Sequence, residues 1–216
     1  MRARLLVLTV LVLALALASP AAAAPRFHGS AHRLGPALQQ RMTGVSWHPG
    51  CPVGLKRLRL LKLSVWGFDG SIHRGRLVVN EDAVQPMLAV MRRLFALRYP
   101  IRRMRLVDAY GAVDDRSMEA DNTSAFNCRF VAGTDHWSEH AYGRAIDLNP
   151  LENPYVDADG YVSPPQGAPF ADRSRRAKGL IHRGGPVVAA FASVGWGWGG
   201  NWSWPKDYQH FSASGR

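Results

Sequence analysis

The sequence predicts an α+β fold in which a small antiparallel sheet packs against a few helices. Two apolar runs over 60–66 and 75–79 flank a turn sequence at 67–70, which is typical of a β-hairpin with a somewhat long loop. From 81 to 97 the apolar residues recur at helical spacing. The chain contains no internal repeat, glycine-rich phosphate loop or dinucleotide fingerprint, so repeat architectures and nucleotide-binding folds are excluded.

The segment 1–24 is typical of a secretory signal peptide. A basic start, Met1-Arg-Ala-Arg4, precedes an apolar stretch over 5–18, and the small residues at 21–24 suit signal peptidase. The apolar stretch is short for a bilayer span, although a lengthened one would serve as an uncleaved membrane anchor. No second apolar segment reaches membrane length. We therefore expect a secreted, extracytoplasmic protein without a stable membrane span after cleavage.

The first part of the mature chain divides into a loose segment, a helix and a strand. The segment 25–44 is polar and lacks periodicity, so we expect it to be flexible or loosely docked. Asn80 is expected to cap the helix over 81–97, whose acids come early and whose arginines come late, in agreement with the helix dipole. A strand is predicted for 105–109. The stretch 110–135 is too long and polar for a simple connection, which favours functional loops.

The second part of the chain alternates short apolar elements with long connections. A short buried strand is predicted for 145–149 and an amphipathic helix for 186–194. Between them, 150–183 is rich in proline and glycine and is expected at the surface, either framing one side of a cleft or without a role. The run 195–204 contains four tryptophans. Some should be buried because tryptophan has a large apolar area, and one or two could line a groove.

Cys51 and Cys128 are the only cysteines in the sequence. In an oxidising compartment a single pair most simply forms a disulfide, and we predict a Cys51–Cys128 bond. Zinc ligation by these cysteines is the competing interpretation, but no Cys-x-x-Cys spacing supports it.

The chain is strongly basic, with 27 lysines and arginines against 16 acids and a net charge of +11. Without Arg2 and Arg4, 25 basic residues face the same 16 acids, which leaves a net charge near +9. Such a balance favours polyanionic partners, but no nucleic-acid-binding motif is present and secretion argues against nucleic acid. An anionic cell wall, rich in carboxylate and phosphate, would explain the charge, and so would general solubility.

Two short motifs contain the imidazoles of His140 and His210 and the carboxylates of Asp147 and Asp207: Ser138-Glu-His-Ala-Tyr-Gly-Arg-Ala-Ile-Asp147 and Asp207-Tyr-Gln-His-Phe211. A catalytic zinc ion takes three ligands from His and Asp or Glu and keeps a fourth position for water, whose pKa it lowers towards about 7. His140, Asp147 and His210 can supply the three ligands. Asp147 lies in an apolar run where an unpaired carboxylate is costly, and a metal ion removes that cost. The pattern predicts metal-assisted hydrolysis with Asp207 as general base.

These motifs resemble the M15 zinc peptidases, the D-alanyl-D-alanine carboxypeptidases and L-alanyl-D-glutamate endopeptidases that cut peptidoglycan stem peptides. The shared pattern is S-x-H-x-x-G-x-A-x-D followed by carboxylate-x-x-His-Phe. The resemblance covers 45–212 and includes 122–129, 149–155 and 195–200. It implies a peptidase domain over 45–216, with the zinc site on strand ends and adjoining loops.

The resemblance also implies the roles of individual residues. His140, Asp147 and His210 correspond to the zinc ligands of the family. Arg129 occupies the position of an arginine that serves the substrate carboxylate or the developing oxyanion. Many relatives carry Glu where this chain has Asp207, so the shorter side chain must be brought closer to the water.

Other residues near the motifs have structural interpretations beside functional ones. Ser138 and Tyr142 are candidates for substrate binding, but Ser138 could be a turn or cap residue and Tyr142 could simply pack. Arg129 could instead be a structural ion-pair donor. Gly143 allows close approach of the backbone between the two ligands in either case. His136 is left out of the site, because a single histidine is more often a surface or core residue than a ligand.

The sequence therefore predicts a secreted, monomeric peptidase with one zinc ion that cuts peptidoglycan stem peptides and associates with the anionic cell wall. Zinc would polarise the scissile carbonyl and its water, Asp207 would take a proton and deliver it to the leaving amine, and Arg129 would steady substrate or oxyanion. One alternative is an inactive zinc-bearing module that binds the cell wall, and another is a hydrolase of some unrelated secreted peptide. Exo- and endopeptidase activity are not distinguished.

Overall fold

The computed structural model describes residues 24–216, and the predicted signal peptide lies outside them except for Ala24. The described chain is α+β, as predicted, and consists of three small antiparallel sheets with four short α-helices. Short 3-10 helices lie in the connections between these elements. Within 24–216 no helix has the length and apolar character needed to cross a membrane.

The first sheet has three strands and contains the predicted hairpin. β2 (Leu58–Trp66) and β3 (Ile72–Asn80) pair antiparallel, with Leu61 opposite Leu77. Both strands are longer than the apolar runs that predicted them, because polar residues continue the ladder towards the turn. The hairpin prediction is confirmed.

The N-terminal segment departs from the prediction of a flexible or loosely docked stretch over 25–44. β1 (Gly29–Arg33) pairs with β2 along its whole length, and α1 (Pro36–Met42) follows it. Leu34, Leu38 and Met42 are buried together against the first sheet. Leu38 and Met42, four residues apart, lie on one face of α1, and Leu34 precedes the helix. The burial of these apolar side chains is the physical reason why the segment docks.

The predicted helix over 81–97 is α2 (Val84–Ala96), preceded by a 3-10 turn at Glu81–Ala83. Asn80 stands at the start of this turn, but its side chain makes no cap and donates instead to the carbonyl of Tyr142 at 3.1 Å. The helix packs on β2 through a row of buried side chains: Val84, Met87, Val90, Met91, Leu94 and Phe95.

The strand predicted for 105–109 is wrong. Residues Val107–Tyr110 form a 3-10 helix, and α3 (Asp114–Glu119) follows. The side chain of Asn122 holds the backbone of Arg105, accepting from its N–H at 2.8 Å and donating to its carbonyl at 3.0 Å. One amide side chain thus takes the hydrogen bonds that a neighbouring strand would have made.

The second sheet has three strands, and Ile146, Trp198 and Phe211 from these strands lie in the main apolar core. Its strands are β4 (Ala145–Asp147), β9 (His210–Ser212) and β7 (Gly197–Trp198), and α4 (Pro186–Ala192) packs against it, close to the helix predicted for 186–194. Phe211 stacks on Phe191 with 3.8 Å between the ring centroids. The third sheet joins β5 (Tyr155–Val156) to β6 (Val162–Ser163) and β8 (Lys206–Asp207).

The predicted disulfide between Cys51 and Cys128 is present. It links the loop after α1 to the segment that carries Arg129, across 77 residues of chain. Of the four tryptophans in 195–204, Trp196 and Trp198 are buried, whereas Trp204 is exposed.

Candidate metal centre

His140, Asp147 and His210 converge on one point in the structure. Nε2 of His140 lies 3.1 Å from Oδ2 of Asp147, and Nδ1 of His210 lies 3.0 Å from Oδ1. The two ring nitrogens are 3.2 Å apart. All three side chains are almost completely buried. Three residues separated by up to 70 positions therefore form a compact group of potential metal ligands.

Local structure brings each side chain to this point. Asp147 ends β4 and faces His210, the first residue of β9, across the antiparallel pair. His140 lies in a 3-10 turn at Glu139–Tyr142 that ends in Gly143 with φ +65°. A Cβ at residue 143 would lie 2.6 Å from the backbone nitrogen of Asn80, so the close approach of this turn to β3 requires glycine.

Backbone carbonyls determine which ring nitrogens face the group. Nδ1 of His140 lies 2.5 Å from the carbonyl oxygen of Ala125, and Nε2 of His210 lies 3.0 Å from the main-chain oxygen of Arg216. A carbonyl oxygen can only accept, so these nitrogens carry the hydrogens in the neutral rings. The opposite nitrogens therefore direct lone pairs towards the carboxylate of Asp147, which is the arrangement of histidines that bind metal.

The electrostatics of the group favour a positive charge at its centre. Burial alone would raise the pKa of Asp147, but the charges and hydrogen bonds of both imidazoles hold it far below its ordinary value. Burial opposes protonation of His210, yet the hydrogen bond and charge of Asp147 raise its pKa to about 9. Two imidazole nitrogens and one carboxylate also match the three-ligand sets of catalytic zinc, so the donor chemistry fits this ion.

Asp207 lies beside the group at the end of β8, where it pairs with Tyr155. Burial, followed by the negative charge of Asp147, raises the pKa of Asp207 to about 6. Its Oδ1 is buried and has no hydrogen-bond partner among residues 24–216. The carboxylate thus retains an acceptor position that the described protein does not use.

Glycine 199 lies directly against the backbone of Asp207. A Cβ at residue 199 would stand 2.5 Å from the carbonyl oxygen of Asp207 and 2.9 Å from its Cβ. At least one glycine of the tryptophan-rich run therefore leaves room for this acid. Trp202, from the same run, lies 5.6 Å from His210 between ring centroids.

Arg129 forms an ion pair with Asp114, which the sequence analysis did not single out. Nη2 of Arg129 lies 2.6 Å from Oδ2 of Asp114, and Nη1 donates to the carbonyl of Phe130 at 3.3 Å. Burial raises the pKa of Asp114, on which the charges of Arg129, Asp147 and His140 also act, so the pair lies near the ligand group. Nε of Arg129 is buried and without an acceptor in the described part of the chain.

Ser138 and Tyr142 lie on the same turn as His140. The hydroxyl of Ser138 accepts from the backbone N–H of His140 at 3.3 Å, which is the cap interpretation of this residue. Tyr142 is half-buried against the apolar cluster that contains Leu34, Leu38 and Met42. It also lines an open cavity of about 560 Å³ together with Trp137 and Glu139. His136 is exposed.

A second group of potential ligands in 24–216 consists of His48, Cys51 and Cys128. Nε2 of His48 lies 3.7 Å from the sulfur of Cys128. Because both sulfurs are joined in the disulfide, neither is a thiolate, and the group does not offer the ligands that zinc requires.

Comparison with known proteins bears directly on the ligand motifs. A model of the M15 peptidases, described as D-alanyl-D-alanine carboxypeptidase, matches residues 132–213. This match confirms the M15 resemblance. The matched residues contain His140, Asp147, Asp207 and His210, whereas Arg129 precedes them. No curated protein matches the chain, and no solved structure does.

Sequence reasoning did not find Asp114, and no local signal marks it. Asp114 and Arg129 are 15 positions apart in a polar stretch without periodicity, and only the fold of α3 against the segment at 127–130 brings them together. The partners Ala125 and Arg216 act through main-chain oxygens, and these leave no trace in residue type.

Proposed function

We propose that the protein is a zinc-dependent peptidase that hydrolyses peptidoglycan stem peptides outside the cytoplasm. The observation that carries this proposal is the buried group of His140, Asp147 and His210, whose free ring nitrogens and carboxylate face one point. The family-model match over 132–213, which includes these three residues, supports a peptidase of the D-alanyl-D-alanine carboxypeptidase type.

His140, Asp147 and His210 would hold the zinc ion, which when bound supplies the Lewis acidity that polarises a scissile carbonyl and lowers the pKa of water. Asp207 is the general base in this mechanism. Its buried carboxylate, with one oxygen unpartnered among the described residues, takes a proton from the attacking water and transfers it to the leaving amine. The low-dielectric surroundings strengthen the hydrogen bond between this carboxylate and the attacking water, relative to the same bond in bulk water.

Arg129 binds the carboxylate of the substrate or the developing oxyanion. The ion pair with Asp114 restrains the guanidinium plane, and Nε remains as a buried donor. A fixed cation beside the reacting carbonyl stabilises negative charge as it develops, without reorganisation at the moment of reaction. Arg129 also suits the terminal carboxylate of a stem peptide, which supports carboxypeptidase action. Tyr142, on the same turn as His140, is assigned to substrate binding. Ser138 contributes indirectly, because its hydroxyl caps this turn by accepting from the backbone N–H of His140.

The extracytoplasmic location rests on the signal-like segment 1–24 and on the disulfide, since such bonds persist in oxidising compartments. We also propose that the catalytic unit begins at β1 rather than at residue 45. β1 completes the first sheet and α1 buries apolar side chains against it, so removal of 25–44 would expose part of the core.

The decisive experiment incubates purified mature protein and zinc with a synthetic stem pentapeptide and identifies products by mass. Loss of one terminal alanine is expected for the carboxypeptidase, and internal fragments would show endopeptidase action instead. Asp207→Ala should keep one equivalent of zinc and abolish hydrolysis, whereas His140→Ala should lose both. A wild-type protein that binds zinc and cell walls but releases no product would establish the inactive binding module.

A further inference from the structure

Four arginines line one cavity beside the first sheet, and none of the residues that line it is a member of the ligand group. Arg74 and Arg76 project from β3, Arg41 comes from α1 and Arg105 from the segment before the 3-10 helix. The cavity has a volume of about 380 Å³, and Asp108 is the single carboxylate that lines it. Four cations therefore face one anion in this cavity.

The four cavity arginines form no ion pair with a carboxylate within residues 24–216, a property that they share with exposed arginines elsewhere such as Arg93 and Arg116. Arg57, Arg59, Arg102, Arg129 and Arg144 each form an ion pair with an aspartate or glutamate. None of the four cavity arginines has a carboxylate oxygen within 4.0 Å in the described range 24–216. Oδ1 of Asp108 is occupied by the hydroxyl of Ser46, 2.8 Å away.

The register of the sheet adds a further positive charge. Lys62 of β2 lies directly opposite Arg76 of β3, and both side chains are exposed. Like charges at directly opposed positions of an antiparallel pair destabilise the sheet. A bound anion would reduce this repulsion as well as the repulsion among the arginines. The positive charges of this region are therefore better compensated with a ligand than without one.

The arrangement of the cations suits an anion with repeated charges. Arg74 and Arg76 are two residues apart on a strand, which places their Cα atoms about 6.6 Å apart on the same face. The four guanidinium groups come from a helix, a strand and a loop, so together they suit an anion that carries more than one charged group. Guanidinium groups bind phosphate through paired N–H donors, which makes arginine the preferred cation for phosphate recognition.

We propose that this cavity binds a phosphodiester polymer of the cell wall and holds the protein at its substrate. The proposal depends on the proposed extracytoplasmic function for the source of the polymer, but no residue of the cavity belongs to the ligand group or to its neighbours Asp207 and Arg129. Anchoring and hydrolysis are thus separable in the same molecule.

The test measures binding of the mature protein to inorganic polyphosphate of defined length at several salt concentrations. Arg74→Gln with Arg76→Gln should weaken binding at least tenfold and reduce the slope of log affinity against log salt by about one to two, because each phosphate contact contributes about 0.7–0.9 to that slope. The matched control, Arg93→Gln with Arg116→Gln, removes the same charge from exposed positions elsewhere and should change affinity less than about twofold.

Equal weakening by both double variants would mean that only net charge matters, and it would overturn the proposal. So would absence of binding by the wild type, or equally tight binding of polyglutamate, which carries carboxylates. Tighter binding of duplex DNA than of polyphosphate would assign the cavity to nucleic acid and reject a wall polymer. Hydrolysis of a soluble stem peptide should be unchanged in both variants, so failure of catalysis and failure of anchoring are read out separately.

Discussion

The guanidinium of Arg129 is held by the carboxylate of Asp114, with 2.6 Å between Nη2 and Oδ2. This contact joins the first turn of α3 to the segment that follows the disulfide, and it lies close enough to Asp147 for their charges to interact. The orientation of the Arg129 guanidinium therefore depends on a residue from an element that contributes no proposed ligand.

We predict that Asp114→Ala lowers kcat/KM by roughly 10- to 100-fold while zinc content stays at one equivalent, because the guanidinium loses its restraint. Asp114→Glu should recover part of the loss, since it restores the carboxylate. Steady-state kinetics and metal analysis check this, with exposed Asp115→Ala as the neighbouring control. Wild-type kinetics in Asp114→Ala would show that the ion pair has no part in catalysis.

Gly199→Ala should impair turnover without removing zinc. The added methyl would stand 2.5 Å from the carbonyl oxygen of Asp207, so β8 must shift and the acid must move with it. We expect a loss of kcat of about tenfold or more, since small displacements of a catalytic group have large effects on rate. Gly54→Ala is the control, because a Cβ there meets nothing within 4 Å and its φ is −74°. An active Gly199→Ala enzyme would contradict the position we assign to Asp207.

Glu152 should make stability depend on pH. Burial and the neighbouring Asp121 raise the pKa of Glu152 from 4.5 to about 7, so the folded protein binds a proton that the unfolded chain releases between these values. The free energy of unfolding should therefore fall, on the order of 2 kcal/mol, as pH rises from about 4.5 to 7. Urea denaturation across this range should show the fall in wild type and not in Glu152→Gln. The exposed Glu119→Gln variant should behave like wild type, and an unchanged slope in Glu152→Gln would assign the effect to another group.

Replacing both cysteines by serine should destabilise the protein by about 4 kcal/mol, the value that the chain-entropy model assigns to a closed loop of 77 residues. It should also reduce kcat/KM at temperatures where the variant is folded, because Cys128 immediately precedes Arg129. Chemical denaturation and peptide hydrolysis measure the two effects, and a thiol assay on unreduced wild type should find no free thiol. Wild-type activity in the folded variant would show that Arg129 is held without the disulfide.

The features that the sequence predicts best are those that depend on residues close together in the chain. His140, Asp147 and His210 lie in motifs whose residue types and spacing carry their own chemistry, and the hairpin and α2 follow from hydrophobic periodicity. The errors arose where tertiary contacts compete with local pattern. The Arg105 backbone is bonded by Asn122 rather than by a strand, and Asn80 gives its side chain to Tyr142 rather than to its helix.

Side chains alternate between the two faces of β4 and β9. Ile146 and Phe211 point into the apolar core, whereas Asp147 and His210, one position along each strand, point to the ligand group. Sliding β9 by one residue would therefore exchange the aromatic ring for the imidazole and abolish core and ligand group together. A chain folded with this error would separate the three proposed ligands, so a zinc-binding assay would distinguish correctly assembled molecules from misaligned ones.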